Sequence, residues 1–526
     1  MAAGLRGDLA KDQLPPADSV TSAWANARRW AEEQAQTWFE HDVPLTVGGV
    51  RIGWPLQIAA FEAFLRVAAS ADDARHTRTG LSPTRWMKRH GIDRAARSLS
   101  VRVLAGRSQK QSGSGGVLFV SEIPTPTMME PSLRVADVLA PGDFDVAVAD
   151  PRALRIWRSH GYSPRPVVPH IREEVDRVAR GRREAKRVWR QFTTANPRFT
   201  FDGRDVTKAS LHELRPLVLN SAPWLSVELA ALHKIVASQR PRAIVVGTDQ
   251  HRVGRLASLV AQETRTVLVV LQHGLPQTPI AYLPVVADRV AVWSEDVRRW
   301  FVENGTAPEK IDVVGNPRLD QLATLSRQQE RATVSSQSGL HGNPRLLVAL
   351  SPIDVPTNER ILELALEAVR QQSTSSVVVK LPPGQGEYRS LTDLVRRSGL
   401  GSRVRIFRHE PLLPLLMWAD LTLLYRSSVA LESLAARTPV AVADIGGQSI
   451  AHDELRLLDL PLVRDGGELS LAMSELASDL GSREYFDERV GALERQIGPV
   501  DGKSAVRIAD LLKSISSRPA GGSLAP

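Results

Sequence analysis

From residue 117 onward one pattern repeats. A short, unbroken apolar run is followed by a helical pattern, then by another apolar run. The first set comprises VLFVSE (117–122), FDVAVAD (144–150), AIVVGTD (243–249), TVLVVLQHG (266–274), RVAVWSE (289–295) and KIDVVGNP (310–317). Helical stretches such as VGRLASLVAQE and EDVRRWFVENG separate most of them. A second set follows: RLLVALS (345–351), SVVVKLP (376–382), VRIF (404–407), LTLLY (421–425) and VAVADI (440–445). A sheet with one wet face would alternate apolar and polar residues. Unbroken apolar strands instead need cover on both faces, which helices give to a parallel sheet. The rhythm predicts an α/β chain with two doubly wound, Rossmann-like domains facing a cleft.

The segments before and between these sets read differently. Residues 1–110 show no such alternation and are expected to form an extra, mostly helical N-terminal region. Within it LTVGGVRIGW reads as a small hairpin around Gly48-Gly49, and Pro55 opens an apolar helix. QKQSGSGG (109–116) reads as a loop. The first Rossmann-like domain is placed at 111–330, with extra helices near 170–220. The second is placed at 331–516. The polar stretch 321–343 is taken as the linker between them, and 517–526 as a disordered tail.

At 526 residues the chain exceeds what one core supports. It has no cysteine, which excludes disulfides, thiolate metal sites and a cysteine nucleophile. No apolar run reaches membrane-spanning length, and the first residues lack the apolar core of a signal peptide. A cytoplasmic location is therefore expected. The net charge of +9 is uneven. Residues 81–110 hold eight Lys/Arg (Arg85, Lys88, Arg89, Arg94, Arg97, Arg102, Arg107, Lys110), one acid, Asp93, and Trp86. This stretch either docks on the inner face of an anionic membrane, is solvated, or pairs with acids elsewhere. Residues 171–190 mix both signs at helical spacing and read as a solvated helix face.

In open parallel sheets ligands sit beyond the carboxyl ends of the strands. The residues standing there are the candidates. Glu122 and Asp249 follow strands of the first set, as do His273-Gly274 and Asn316 with Arg318. In the second set Lys380, His409-Glu410 and Arg426-Ser427-Ser428 do so. Ser427 or Ser428 can cap the next helix, whose first-turn amides suit a diphosphate. Glu432, four residues after Ser428, can accept hydrogen bonds from a ribose; otherwise it is a surface glutamate. Leu431, Leu434 and Ala435 are expected on the buried face. Arg318 can hold a phosphate, and Lys380 can neutralise a leaving diphosphate. Each has a plainer reading as an ordinary turn or solvent residue.

YRSSVALESLAARTPVAVADI resembles the donor-binding segment of GT-B glycosyltransferases, with Arg437 standing where that family usually has glycine before Thr-Pro. LQHGLPQ, the strand end at Trp293-Ser294-Glu295 and VVGNPRLDQL together resemble the capsule polysaccharide, CDP-glycerol glycerophosphotransferase and surface-carbohydrate group. The resemblance covers about 240–445 well and says little of 1–110. It implies a GT-B-like fold, with the second domain on the nucleotide-donor side and the first, including Glu122 and Asp249, on the acceptor side. It implies a catalytic role for His273, as a base toward an acceptor hydroxyl or as a phosphate ligand; a purely structural histidine is the plainer reading. His409 and Glu410 match the base-recognition loop. Many relatives read K-x-H-P where this chain has KLPP, with Pro382 in the histidine's place. That departure favours a sugar transferase over a literal glycerophosphotransferase.

The expected activity is transfer of a sugar from a nucleotide-sugar donor to a surface polysaccharide or lipid-linked acceptor. The alternatives are an isomerase like the UDP-N-acetylglucosamine 2-epimerases, a glycerophosphotransferase, and a non-catalytic nucleotide-sugar-binding protein. No cofactor and no metal are expected: no HExxH, no close histidine pair and no DxD beside the nucleotide segment stand in the sequence. Nucleic acid is not an expected partner, because no stacking aromatics accompany the arginines.

Overall fold

Every one of the apolar runs forms a strand in the computed structural model. It describes residues 19–37, 46–72, 92–105, 116–168, 171–276, 279–351, 355–382, 389–425, 427–445 and 458–515. The hairpin pairs β1 (Thr46–Val47) with β2 (Val50–Arg51) in antiparallel register. Gly48 and Gly49 both sit at positive φ, as a two-residue turn requires. The apolar helix Gln57–Asp72 follows Trp54–Leu56, as expected from Pro55.

The first large sheet contains β3 (Val117–Ser121), β4 (Phe144–Val148), β5 (Arg165–Pro166), β8 (Ala243–Val246), β9 (Val267–Leu271), β10 (Arg289–Val292) and β11 (Ile311–Val313). Its order is β11-β10-β9-β8-β3-β4-β5. A separate small hairpin joins β6 (Thr200–Phe201) to β7 (Arg204–Asp205). The second large sheet contains β12 (Arg345–Ala349), β13 (Ser376–Lys380), β14 (Val404–Phe407), β15 (Leu421–Leu424), β16 (Val440–Ala443) and β17 (Leu462–Val463), in the order β14-β13-β12-β15-β16-β17. Its pairings are all parallel.

The two sheets share one winding. In each, the chain starts at a central strand, moves to one edge, then crosses back and runs to the other. The crossing points lie between β3 and β8 and between β12 and β15. At such a switch point the loops diverge and leave a crevice beyond the carboxyl ends. In the second sheet the crevice floor is stitched: Ser351 Oγ donates to the Tyr425 carbonyl at 2.7 Å, joining the ends of β12 and β15.

The chain falls into two compact units. One is built on the seven-stranded sheet and takes in most described residues up to Ala291, with Phe301–Asp312. The other is built on the six-stranded sheet and comprises Val313–Arg507 with Val292–Trp300. The N-terminal helices belong to the first unit. Trp30 of the helix Ser19–Thr37 packs edge-on against Phe64 and touches Phe201, and Phe64 meets Phe199. Arg255, fully buried, lies 4.4 Å from the Trp54 ring centroid and reaches Gln57 Oε1 at 3.3 Å.

The expected linker is something else. Arg327–Ser338 forms a helix whose Val334 enters a core with Trp418, and Trp418 Nε1 donates to Ser335 Oγ at 3.1 Å. Its first residue, Arg327, donates to the carbonyls of Met417, Ala419, Ala436 and Arg437 and to Thr438 Oγ1. One guanidinium thus gathers the open carbonyl ends of two helices, Leu412–Trp418 and Val429–Ala435. The polar composition of 321–343 concealed this, because Arg327 faces backbone oxygens and Arg331 the Asp420 carboxylate.

Candidate functional site

In the first unit the loops after β3, β8 and β9 converge. His273 follows β9, and its Nδ1 lies 3.0 Å from the Gly247 carbonyl at the end of β8. A carbonyl only accepts, so Nδ1 carries the proton and Nε2 carries the lone pair. Nε2 has no hydrogen bond among the described residues. The half-buried ring stacks on Tyr282, with centroids 4.9 Å apart and planes 5° apart. Burial, and secondarily the charge of His251, push its pKa down to about 4, against the pull of the Gly247 hydrogen bond. The imidazole is therefore neutral at physiological pH. It can accept a proton at Nε2 and is poorly suited to donate to a phosphate. Gly274 is not at positive φ; its need is space, because a Cβ there would lie 3.2 Å from Tyr282 Oη.

The two carboxylates expected on the acceptor side, Glu122 and Asp249, hold loops. Asp249, buried, accepts from the amides of Val286 and Ala287 at 2.8 and 3.0 Å and from Gln250 Nε2 at 2.7 Å. It thereby ties down the return segment that carries Tyr282. Glu122 pairs with Arg252 and accepts from the Val253 amide at 3.0 Å. Arg252 also pairs with Glu228, and the two carboxylates raise its pKa against the burial that lowers it. Beside this network lies a cavity of about 510 Å³, lined among others by Glu62, Glu122, His212, Glu228, His251 and Arg252. Sequence reasoning missed His251, Tyr282 and Arg252. His251 sits in the same strand-end loop as Asp249 and Gln250, and that position was the available signal.

In the second unit the GNPRLD element resolves into separate tasks. Gly315 stands at φ +88°, and a Cβ there would lie 2.5 Å from Ser504 Oγ. Asn316 Oδ1 accepts from the Arg318 amide at 3.1 Å and starts the turn. Asp320 receives the amides of Ser504 and Ala505 at 3.1 and 2.7 Å, which caps the last helix, Ser504–Ser514. Arg318 points elsewhere: its Nη2 lies 2.6 Å from Glu432 Oε1. Glu432 is buried, not a surface glutamate.

The helix bearing Glu432 runs Val429–Ala435. Ser428 occupies its N-cap position without a side-chain bond; Ser427 Oγ accepts from the Val429 amide at 3.3 Å. Leu431 and Leu434 are buried and Ala435 partly so, as expected. Arg437 adopts the left-handed conformation, φ +54°, and its guanidinium lies 5.5 Å from the Phe486 ring centroid. That conformation explains why glycine suits the position. Lys380 Nζ donates to the carbonyls of Leu381 and Arg408 at 3.1 and 2.8 Å. Burial lowers its pKa and the Glu410 charge works against that. His409 is exposed, and its amide donates to Glu410 Oε2 at 2.9 Å. Arg426 lies outside the described residues, as do 383–388 and 446–457.

Of the expected membrane-facing residues, Arg85, Trp86, Lys88, Arg89, Arg107 and Lys110 also lie outside the described residues. Arg94 and Arg97 are on the helix Ile92–Ala105. Arg102, on the same helix, pairs inward with Glu174. Among the described residues no cluster of His, Asp or Glu could hold a metal ion, and no helix is long and apolar enough to cross a membrane.

No family model matches the chain. It is 30% identical over 178 residues to a D-inositol 3-phosphate glycosyltransferase of Thermobispora bispora, a match over 31% of this chain. The chain spans only 41% of that relative's length. The UDP-GlcNAc 2-epimerase of Neisseria meningitidis, solved bound to UDP-GlcNAc, aligns with a TM-score of 0.50 at 14% identity, over 76% of this chain and 100% of that one. Anabaena HepE in complex with UDP and glucose aligns at 0.47 and 17% identity, over 76% of this chain and 100% of that one. The chain therefore has an α/β, GT-B-like fold of two parallel-sheet domains with an added helical N-terminal region.

Proposed function

We propose that this protein is a nucleotide-sugar-dependent glycosyltransferase acting on a surface-glycan or lipid-linked acceptor. The observation that carries the reading is His273. It stands at a strand end with Nδ1 held by Gly247 and Nε2 unprotonated, which is the state a general base needs. In this reading Nε2 takes the proton from the acceptor hydroxyl as its oxygen attacks the sugar's anomeric carbon and the nucleotide diphosphate leaves. The acceptor reaches His273 past its neighbour His251, from the cavity that Glu122 and His251 help to line. The six-stranded unit binds the donor, with Arg318, steadied by Glu432, directed to the diphosphate. Ser427, Ser428, Lys380, His409 and Glu410 surround the nucleotide. The similarity to a glycosyltransferase, and a shared fold with a protein solved with UDP-GlcNAc, support a nucleotide-sugar donor.

The test is incubation with UDP-, GDP-, CDP- and dTDP-linked sugars, with and without a panel of glycan and lipid-linked acceptors. Nucleotide diphosphate release that depends on acceptor supports transfer. Conversion of the sugar without any acceptor would replace this reading by an epimerase. Absence of binding to every nucleotide sugar in a thermal-shift assay would remove both, since a ligand at about 100 times its Kd adds about 2.7 kcal/mol.

A further inference from the structure

We propose that the helices Ile92–Ala105 and Ile171–Thr194 together form a docking surface for an anionic bilayer leaflet. Folding creates a charge separation on this face. In sequence the 171–190 stretch mixes both signs. In the structure Glu174 and Glu184 bond into the fold, while Glu173 and Asp176 stay at the surface. Glu174 accepts from Ser98 Oγ at 2.6 Å and pairs with Arg102, Glu184 accepts from the Gly48 amide, and Glu173 pairs with Arg177. Val178, Gly181, Ala185, Val188 and Phe192 form the buried stripe at three- and four-residue spacing.

The cations stay outside. Arg180, Arg182, Arg183, Lys186, Arg187 and Arg190 are all exposed, and none has an acidic partner among the described residues. Arg172 extends the same face, where Asp176 is the exposed acid. From Arg172 to Arg190 the row is about 27 Å long at the helical rise of 1.5 Å per residue. A cationic helix face of that length can meet several phosphate headgroups at once.

A second, independent feature selects lipid over other polyanions. The most exposed large aliphatic side chains among the described residues are Val103 (71%), Val175 (60%), Leu99 (57%) and Ile171 (53%). All four belong to these two helices, which Glu174 joins through Ser98 and Arg102. Aliphatic side chains beside a cationic row suit insertion at a headgroup boundary. They give nothing to a nucleic acid, whose bases stack on exposed aromatics. The surface stands apart from the reading of the site and does not depend on it.

The experiment is sedimentation of the full chain with phosphatidylglycerol-containing vesicles and with pure phosphatidylcholine vesicles, at low and high salt. A fluorescent 30-base-pair DNA duplex serves as the polyanion control. Binding is expected to anionic vesicles alone and to fall as salt rises. Arg180→Glu with Arg183→Glu, Arg187→Glu and Arg190→Glu should weaken it by about a hundredfold or more, given the separate headgroup attraction of each cation. Leu99→Ser with Val103→Ser should weaken vesicle binding and leave duplex binding unchanged. These positions are exposed, so an unchanged thermal melt confirms that the variants fold. Recovery of the wild type in the supernatant under all conditions overturns the proposal. So does vesicle binding that either set of substitutions leaves intact, or duplex binding tighter than vesicle binding.

Discussion

Arg318 Nη2 lies 2.6 Å from Glu432 Oε1, both side chains largely shielded from water, and the two residues come from motifs 114 positions apart in the chain. The pair couples the GNPRLD turn to the helix after β15. Glu432→Ala would leave the Arg318 charge buried without its partner. Breaking a shielded ion pair from one side typically costs about 3–5 kcal/mol. The variant should therefore lose stability in denaturant titration as well as nucleotide affinity in calorimetry. Arg318→Met with Glu432→Leu should recover the stability and not the affinity. A stable Glu432→Ala variant with full nucleotide affinity would remove the pair from the site.

His273→Ala should lower turnover by about a hundredfold or more, as for loss of a general base, with nucleotide affinity nearly unchanged. Single-turnover kinetics with a saturating donor read the first effect and calorimetry the second. Loss of nucleotide binding with preserved turnover would make the histidine a phosphate ligand instead.

The same residue sets a pH dependence. Its folded pKa, about 4, lies below the ordinary 6.5, so the unfolded chain takes up the proton first as pH falls. The stabilisation is complete above about pH 6.5 and is lost as pH drops towards 4. The stability difference between wild type and His273→Gln should shift against the wild type across that window in urea titrations at pH 7 and pH 4.5. A difference that stays constant would place the proton elsewhere. If the base assignment holds, the acid limb of kcat/KM attributable to this group also falls near pH 4 rather than 6.5.

Arg437 tests the local backbone. Its left-handed φ is strained for a residue with a Cβ and more so for a β-branched one. Arg437→Gly should change stability by less than about 1 kcal/mol, because relieved strain offsets added chain entropy. Arg437→Val should destabilise by about 1–2 kcal/mol or more. Equal melting temperatures for the two variants would contradict the assigned conformation.

Arg327→Ala should be among the more damaging substitutions in the second unit, costing about 2–4 kcal/mol, since it strands several carbonyl acceptors. Arg327→Lys should recover little, because one ammonium cannot reach two helix ends in a plane. A benign Arg327→Ala would show that water satisfies those carbonyls.

Strand positions and the doubly wound class were readable because burial on both faces forces unbroken apolar runs. Val117–Ser121 and Leu421–Leu424 are such cases. Arg165–Pro166 and Leu462–Val463 were not readable, being two-residue edge strands that need little apolar sequence. His273 was legible as a strand-end residue, and Glu432 by its four-residue spacing from Ser428 on the helix that follows β15. Their partners were not: Gly247 contributes only a backbone carbonyl, which no side-chain pattern announces, and Arg318 was read as a ligand for phosphate. Glu174 and Glu184 look solvated in one dimension because their partners, Ser98, Arg102 and Gly48, are far away in sequence.

The cap that Asp320 places on Ser504 and Ala505 reaches beyond local stability. On the proposed function, anyone trimming this protein from its end by successive deletions would see donor handling fail once the 504–514 helix is cut. The natural conclusion would be that the removed piece contacts the substrate. The wiring says otherwise: removing the helix strands the carboxylate two residues after Arg318 and takes Ser504 from beside Gly315, so the damage shows at a turn nearly two hundred positions upstream.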